Sequence, residues 1–138
     1  MEAIAKDLVP TGIAGLDDIL LGGIQRNNNI LVEGAPGAGK TTLGIGFIHA
    51  GAMHFDEPGI IISFEPDPEK LLRDAAGFNW DLEALIAAGK VKIIQTTPSV
   101  LLQEFRPSEG VLPQELRSMK AKRLVIDGLT PLKLYAEQ

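Results

Sequence analysis

The chain of 138 residues contains no cysteine, and only 5% of its residues are aromatic. The missing thiols exclude disulfides and thiolate metal sites, and they suit a reducing compartment. No apolar run approaches the roughly 20 residues that a membrane span needs. The first twelve residues show no basic segment followed by an apolar one, the pattern of a signal peptide. We therefore expect a cytoplasmic protein with no membrane partner.

Basic residues are also scarce, since 13 Lys and Arg against 18 Asp and Glu give a net charge of −5. Nucleic-acid phosphates are bound by clustered Lys and Arg, so the acidic balance argues against a nucleic-acid partner. The remaining composition, 45% hydrophobic and 22% charged residues, is typical of a folded globular domain. The length suits one domain, which we assign to residues 1–138.

Apolar strand patterns alternate with helical patterns along the chain. This alternation indicates an α/β fold, a parallel sheet with helices on both faces. The region 97–120 carries a weaker pattern, with a helix from Pro113 to Lys120, and the tail after 127 is not assigned. The Asn-rich stretch at 26–29 predicts a turn. Strands are predicted at 30–33, 59–64, 91–95 and 123–127, and the other helices at 15–20, at 40–54, from Pro68 to a stop at Gly77, and from 80 to a stop at Gly89.

Residues 34–41 fit the pattern G-x-x-x-x-G-K-[ST], between a predicted strand and a predicted helix. Without Cβ atoms, a glycine-rich backbone can curl around a phosphate and direct N–H groups at it, and the following helix start adds a partial positive charge. Lys40 would supply a full charge to the β- and γ-phosphates, and the Thr41 hydroxyl would ligate Mg²⁺. The predicted phosphate-binding residues are Gly34, Ala35, Pro36, Gly37, Ala38, Gly39, Lys40, Thr41 and Thr42.

Two acidic residues end predicted strands. An acid at the end of a neighbouring apolar strand usually holds the Mg²⁺ of such a site, so we assign Asp127 and Thr41 as the metal ligands. Glu65 ends the stretch GIIISFE, and Pro66 keeps its backbone extended. Because ligands of parallel α/β sheets lie beyond the carboxyl ends of the strands, Glu65 is the candidate catalytic residue that orients an attacking water.

Four stretches, in order, match the segments of one known family. TGIAGLDDILLGGI (11–24) is similar to the family's entry segment TGxxGLDxxLxGGI, and GAPGAGKTT (34–42) is similar to its Walker A motif. DEPGIIISFEPDPEKLLRDAAGFNWDL (56–82) is similar to the block that carries the catalytic glutamate, and RLVIDGLTPL (123–132) is similar to Walker B. On these segments the chain resembles the KaiC-like branch of the RecA/RadA superfamily of ATPases.

The resemblance implies a P-loop NTPase of RecA-like fold that binds ATP with Mg²⁺, hydrolyses it slowly and assembles into homo-oligomeric rings such as hexamers. Lys40 and Thr41 match the phosphate and metal positions, and Asp127 matches Walker B. Glu65 matches the first acid of the family pattern Phe-Glu-Glu, whereas Pro66 replaces the second, which implies weaker hydrolysis if the two acids share the work. Relatives continue past Walker B with a strand that lies beside the P-loop strand, so we expect an incomplete sheet.

Three other functions remain open from the residues alone. A truncated chain could hold nucleotide or partner subunits without turnover. A P-loop kinase would need a lid, and no Arg-rich lid segment is present. Recombinase-like DNA binding is disfavoured by the net charge.

Four further features are interpreted as structural. His49 and His54 are five residues apart, which does not suit paired ligands on one helix face, so we interpret them as packing or surface residues. Trp80 is interpreted as a packing anchor in preference to a base-stacking platform. The run KAKR at 120–123 is interpreted as a solvated helix end.

Overall fold

The computed structural model describes residues 7–64, 67–105 and 110–136. Two short strands near the start, β1 (Leu8–Val9) and β2 (Ile24–Gln25), pair antiparallel around the one-turn helix α1 (Leu16–Ile19). The main sheet follows. Its strands are β3 (Gly59–Ser63), β4 (Val91–Gln95) and β5 (Arg123–Asp127), and the helices are α2 (Lys40–His54), α3 (Pro68–Ala76), α4 (Leu82–Ala87), α5 (Pro98–Phe105), α6 (Val111–Met119) and α7 (Thr130–Ala136).

The main sheet has the order β4-β3-β5, with all three strands parallel. Every residue of the central strand β3 is buried, which explains its uninterrupted apolar sequence. The register places Ser63 opposite both Gln95 and Asp127. The carboxyl ends of the three strands therefore meet at one edge of the sheet.

The core is divided by the sheet, because successive side chains of β3 point to opposite faces. Ile61 joins a cluster with residues of α2, α3 and α4, while Ile60 and Ile62 join a second cluster with residues of α5 and α6. Helices thus cover both faces, as the sequence predicts. Within the described residues, no helix combines the length and the apolar character needed to cross a bilayer.

Most predicted elements are confirmed, and their ends follow local chemistry. Helix α2 has the predicted bounds, and α3 begins where the Asp67 carboxylate accepts a hydrogen bond from the Glu69 N–H at 3.2 Å. Helix α6 begins two residues before the predicted start at Pro113, because proline is tolerated in a first turn whose N–H groups need no partner within the helix. Helices α5 and α7 occupy stretches that the sequence left unassigned.

The predicted strand at 30–33 is wrong. Its residues form no strand pairing with any described residue, and Ile30, Leu31 and Val32 are 57%, 62% and 45% exposed. A β-strand is stabilised by backbone hydrogen bonds to a neighbour, so an apolar, β-branched sequence without such a neighbour does not form one. The segment instead leads into the glycine-rich loop as an unpaired, exposed stretch.

Arg123, the first residue of β5, connects four parts of the fold from a position that is only 2% exposed. Its Nε and Nη2 lie 3.0 and 2.9 Å from Glu57 Oε1, Nη1 donates to the Phe47 carbonyl at 3.0 Å, and Nη2 donates to the Pro10 carbonyl at 2.6 Å. The rings of Phe47 and Phe55 face the guanidinium at 4.5 and 5.3 Å. Burial lowers the pKa of Arg123, and Glu57 opposes that shift; an arginine remains charged regardless.

We expect Glu57→Ala to lower the free energy of unfolding by about 3 kcal/mol, because it leaves the buried Arg123 cation without its carboxylate. Urea denaturation followed by circular dichroism measures the loss. The matched control is Lys70→Ala, which breaks the exposed ion pair with Asp74 (2.9 Å) and should cost less than about 0.5 kcal/mol. Equal losses in the two variants would contradict this role of Arg123.

Candidate functional site

The glycine-rich loop runs from Gly34 to Gly39 and delivers the chain into α2 at Lys40. Gly37 and Gly39 have φ angles of 83° and 100°, in the left-handed region that favours glycine. A hydrogen bond of 3.0 Å from the Ala38 N–H to the Ala35 carbonyl closes a turn inside the loop. All residues of the loop are exposed, so its backbone N–H groups are accessible to an anion.

Gly34 and Lys40 meet at the mouth of this loop. A Cβ added at Gly34 would stand 3.2 Å from the Ala38 Cβ, so any side chain there would fill the concavity. The Lys40 ammonium donates a hydrogen bond to the Gly34 carbonyl. The loop is therefore a concave backbone segment, which we call the cradle, with the Lys40 ammonium across its entrance.

Thr41 and Asp127 are brought together although they are 86 residues apart in the chain. The Thr41 hydroxyl lies 3.0 Å from Asp127 Oδ2, where the first turn of α2 meets the carboxyl end of β5. Close packing positions them, since Gly44 has no Cβ and Val125 Cγ1 would lie only 2.9 Å from one. The predicted metal pair is thus a hydrogen-bonded pair beside the loop.

This donor set fits a magnesium ion held jointly with a substrate. Within the described part of the chain, no three His, Asp or Glu side chains are grouped closely enough to hold a metal ion alone. Mg²⁺ commonly takes only one or two protein oxygens and completes its shell with water and phosphate. Thr41 and Asp127 supply such oxygens next to the cradle.

Glu65 and Pro66 lie outside the described residues, so the position of the predicted catalytic carboxylate stays a prediction. The described chain leads toward the site, however. The N–H of Phe64, the residue before Glu65, donates to the Asp127 carbonyl at 3.1 Å. The chain therefore leaves β3 beside the Walker-B-like aspartate.

A cavity of about 500 Å³ adjoins the loop, and the sequence analysis did not predict it. Its walls come from the entry segment (residues 11–24), from the end of the glycine-rich loop and α2, and from the turn between α3 and α4. Three aromatic rings form a stack along it, with Phe78 and Trp80 centroids 4.9 Å apart and Trp80 and His49 centroids 5.7 Å apart. Other lining residues are Ile13, Gly39 and Thr42.

Trp80 thus both packs and lines the cavity. It packs on α2 so closely that a Cβ at Gly46 would be 2.9 Å from its ring. Gly46, which lies in the middle of a predicted helix, was the available sequence signal, because such a glycine often marks a place where a neighbouring side chain packs closely on the helix backbone. An isolated tryptophan in the sequence could not reveal which rings it would contact.

His49 is half-buried in this cavity wall, and His54 lies edge-on to it with ring centroids 6.3 Å apart. Burial lowers the pKa of His49, and the neighbouring His54 lowers it further. The two histidines line the same cavity, although they are not on one helix stripe. His49 packs on Trp80 and His54 is exposed, which agrees with their interpretation as packing or surface residues.

Asp17 fixes the entry segment that forms one wall. Its Oδ1 accepts hydrogen bonds from the Thr11 N–H (2.8 Å) and hydroxyl (2.7 Å), and its Oδ2 accepts one from the Gly12 N–H (3.0 Å). Burial opposes ionisation of Asp17, but the three hydrogen bonds outweigh it and hold its pKa below the ordinary value.

Residues 9–138 match the family model described as ATPase: KaiC. Over 128 residues, 88% of the chain, the sequence is 38% identical to the circadian clock oscillator protein KaiC of Parasynechococcus marenigrum. It is 36% identical over 135 residues, 94% of the chain, to KaiC of Synechococcus elongatus. Among solved structures, the KaiC-like protein of Pyrococcus horikoshii OT3 superposes on 92% of the chain with a TM-score of 0.81 and 32% identity.

The chain spans only part of these relatives. It corresponds to 25% and 26% of the two cyanobacterial proteins and to 56% of the archaeal chain. The match includes the loop, the entry segment and the strand that ends at Asp127.

We expect Asp17→Asn to lower the free energy of unfolding at neutral pH by roughly 1 kcal/mol, because an amide is a weaker acceptor than a carboxylate. The folded-state pKa of Asp17 lies below its ordinary value of 3.8. Its contribution is therefore present above the unfolded pKa and is lost as the pH falls through the folded pKa. Urea titrations of both proteins from about pH 7 to pH 2.5 should show the difference shrinking in acid; a difference independent of pH would contradict the assignment.

Proposed function

The chain belongs to the KaiC family of ATPases, and from this membership we propose that it binds ATP with Mg²⁺ at residues 34–42 and hydrolyses it slowly. The observation that carries the proposal is the 3.0 Å contact between the Thr41 hydroxyl and the Asp127 carboxylate beside the glycine-rich loop. Two distant sequence motifs meet there at the edge of the sheet where parallel α/β folds bind their ligands.

The phosphates would occupy the loop. Its exposed backbone N–H groups and the amino end of α2 favour an anion. Lys40 now donates to a neutral carbonyl of the same loop. A phosphate oxygen is a stronger acceptor for an ammonium than a carbonyl, so nucleotide would draw Lys40 away from Gly34.

Thr41 and Asp127 would hold the Mg²⁺, with substrate oxygens and water as the other ligands. When bound, the metal supplies positive charge that offsets the charge on the β- and γ-phosphate oxygens. The two side chains are already hydrogen-bonded to each other, so little reorganisation is needed to present both oxygens in the same direction.

The base would enter the aromatic cavity that continues from the loop. Gly39 and Thr42 line both regions, so a nucleotide with its phosphates in the loop has an adjacent space for its ring. Planar bases stack well on aromatic faces. Phe78 and His49 are each stacked on Trp80 by one face, which leaves the other face of each ring for a base.

Glu65 would orient the attacking water and accept its proton. The water oxygen bonds to the γ-phosphorus as the bond from that phosphorus to the β–γ bridging oxygen breaks, so the products are ADP and inorganic phosphate. Support comes from the neighbouring Phe64, whose N–H is bonded to the Asp127 carbonyl. Phe64 directly precedes Glu65, so the described chain before Glu65 ends beside the proposed metal ligand Asp127.

We propose further that the ATPase works as a homo-oligomeric ring in the cytoplasm and that nucleic acid is a disfavoured partner. Membership of the KaiC family supports assembly. The exposure of residues 34–39 supports it as well, because a neighbouring subunit could cover a loop that is open to solvent. The net charge of −5 argues against nucleic acid.

A non-hydrolysing binding module is the second candidate. Pro66 stands where the family pattern has a second acid, and the apolar residues 30–32 are exposed and pair with no strand among the described residues. Both features reduce turnover more directly than they reduce nucleotide binding. Measuring MgATP affinity and phosphate release on the same sample separates the two functions.

We expect Lys40→Ala to weaken MgATP binding by about ten- to a hundredfold, because a charge-assisted hydrogen bond to phosphate contributes about 1.5–3 kcal/mol. Isothermal calorimetry measures the affinity. Lys90→Ala is the matched control, since Lys90 adjoins the amino ends of the strands, where its carbonyl accepts from the Gly59 N–H. A similar loss in the control, or none in Lys40→Ala, would contradict the phosphate site.

We expect Glu65→Gln to bind MgATP as the parent chain does and to release phosphate about 10²–10⁴-fold more slowly, because the amide cannot act as a general base. A phosphate-release assay at saturating ATP gives the rate. Glu69→Gln, four residues along in α3, is the control and should turn over normally. Equal rates for the parent and Glu65→Gln would remove Glu65 from the mechanism.

A further inference from the structure

His49 occupies an unusual place in the cavity beside the phosphate loop. It is half-buried, its imidazole is stacked on Trp80 with an interplanar angle of 25°, and Trp80 is stacked in turn on Phe78 at 21°. An uncharged imidazole suits such a stack. A charged one in the same place must give up part of its hydration.

The titratable groups that face this cavity are few. Of the residues that line it, His49 and His54 alone carry titratable side chains, and the entry segment contributes Gly12, Ile13 and Ala14. The carboxylate of Asp17, behind that segment, accepts three hydrogen bonds from it.

The charged groups on the other elements packed here are engaged or lie beside a different space. In α3, Lys70 pairs with Asp74 at 2.9 Å, and the Asp81 carboxylate caps α4 through the Ala84 N–H at 3.1 Å. A second cavity of about 640 Å³, which also touches Trp80, is lined by Glu69, Arg73, Asp81 and Glu83. The pKa of His49 is therefore lowered by its burial and by the neighbouring imidazole of His54.

We propose that His49 makes nucleotide binding proton-linked: a base enters the cavity beside the neutral imidazole, and protonation of His49 weakens the affinity for the base. The inference rests on the proposed function, because it concerns the base subsite of the same nucleotide site. It assigns to His49 a role in setting the pH range over which the site is occupied.

That protonation of His49 weakens base binding follows from desolvation. A planar, uncharged ring that fills the cavity removes water from His49 and offers it no opposite charge, so the charged imidazole is disfavoured further. Base binding therefore expels a proton from His49. By linkage, a proton on His49 lowers the affinity for the base by the same factor.

The lowered pKa of His49 agrees with this direction of the proton linkage. Burial and the neighbouring His54 already hold the pKa of His49 below 6.5 in the ligand-free chain. A base would add to the burial. The window in which pH controls binding consequently lies on the acidic side of neutrality.

The stack can be tested without ligand, because Trp80 is the single tryptophan of the chain. A protonated imidazole in contact with an indole quenches its fluorescence by electron transfer. We expect the Trp80 fluorescence of the parent chain to fall as the pH is lowered from about 8 to 5.5 and that of His49→Gln to stay level. His54→Gln, an exposed substitution, should retain the transition and move its midpoint to higher pH.

The linkage is tested by calorimetry with MgATP and with magnesium tripolyphosphate, which lacks a base, over the same pH range. The affinity of the parent chain for MgATP should fall in acid by up to about tenfold more than that of His49→Gln, the change expected for one further unit of pKa depression. The titration of ATP itself is common to both proteins. Tripolyphosphate should show no difference between them.

The outcomes separate the two proposals. Identical pH profiles of MgATP affinity in the parent and His49→Gln, or an equal dependence on His49 for tripolyphosphate, would overturn the proton linkage and leave the nucleotide site intact. Trp80 fluorescence that changes with pH in His49→Gln as it does in the parent would overturn the stack. No MgATP binding by the parent at any pH would overturn the proposed function and this inference with it.

Discussion

The buried Arg123 guanidinium is the constraint on which the geometry of the site depends. It is bonded to the carbonyl of Phe47 in α2, to the carbonyl of Pro10 before the entry segment, and to Glu57 before β3. Its own backbone begins β5. Moving any of these partners away raises the free energy of the folded state, because part of the buried cation then lacks a hydrogen-bond partner. One side chain therefore fixes α2, the entry segment and two strands relative to one another at the amino end of the sheet.

This arrangement also positions the proposed nucleotide site at the opposite edge of the sheet, at the carboxyl ends of the strands. With α2 held against β5, its first turn lies at the carboxyl end of that strand, and the Thr41 hydroxyl meets Asp127. The loop before α2 has few contacts of its own and is exposed throughout. Its shape comes from left-handed backbone at Gly37 and Gly39 and from its attachment to a fixed helix. The helix and the strand thus form the packed part of the site, and the exposed loop is the part accessible to a ligand.

The sequence predicted the elements whose information is local. Glycine spacing and a following lysine identified the loop, and an N-cap such as Asp67 identified the start of a helix. It failed where the outcome depends on a distant partner. Residues 30–33 have every local property of a buried strand, yet pairing needs a neighbour that no residue in the described ranges supplies. The aromatic cavity was missed for the same reason, because its walls come from three separate segments that only the folded chain brings together.

Helix α2 explains how one element serves both the fold and the site. Glycine inside a helix costs about 1 kcal/mol relative to alanine, so repeated glycines need compensation from packing. Gly44 and Gly51, seven residues apart and hence on one face, let Val125 and Arg123 of β5 approach the helix backbone. Gly46 lies on another side and admits the Trp80 ring, one turn before His49. The glycines thus allow α2 to contact the sheet on one side and the aromatic stack on the other, which places His49 and the glycine-rich loop on the same helix.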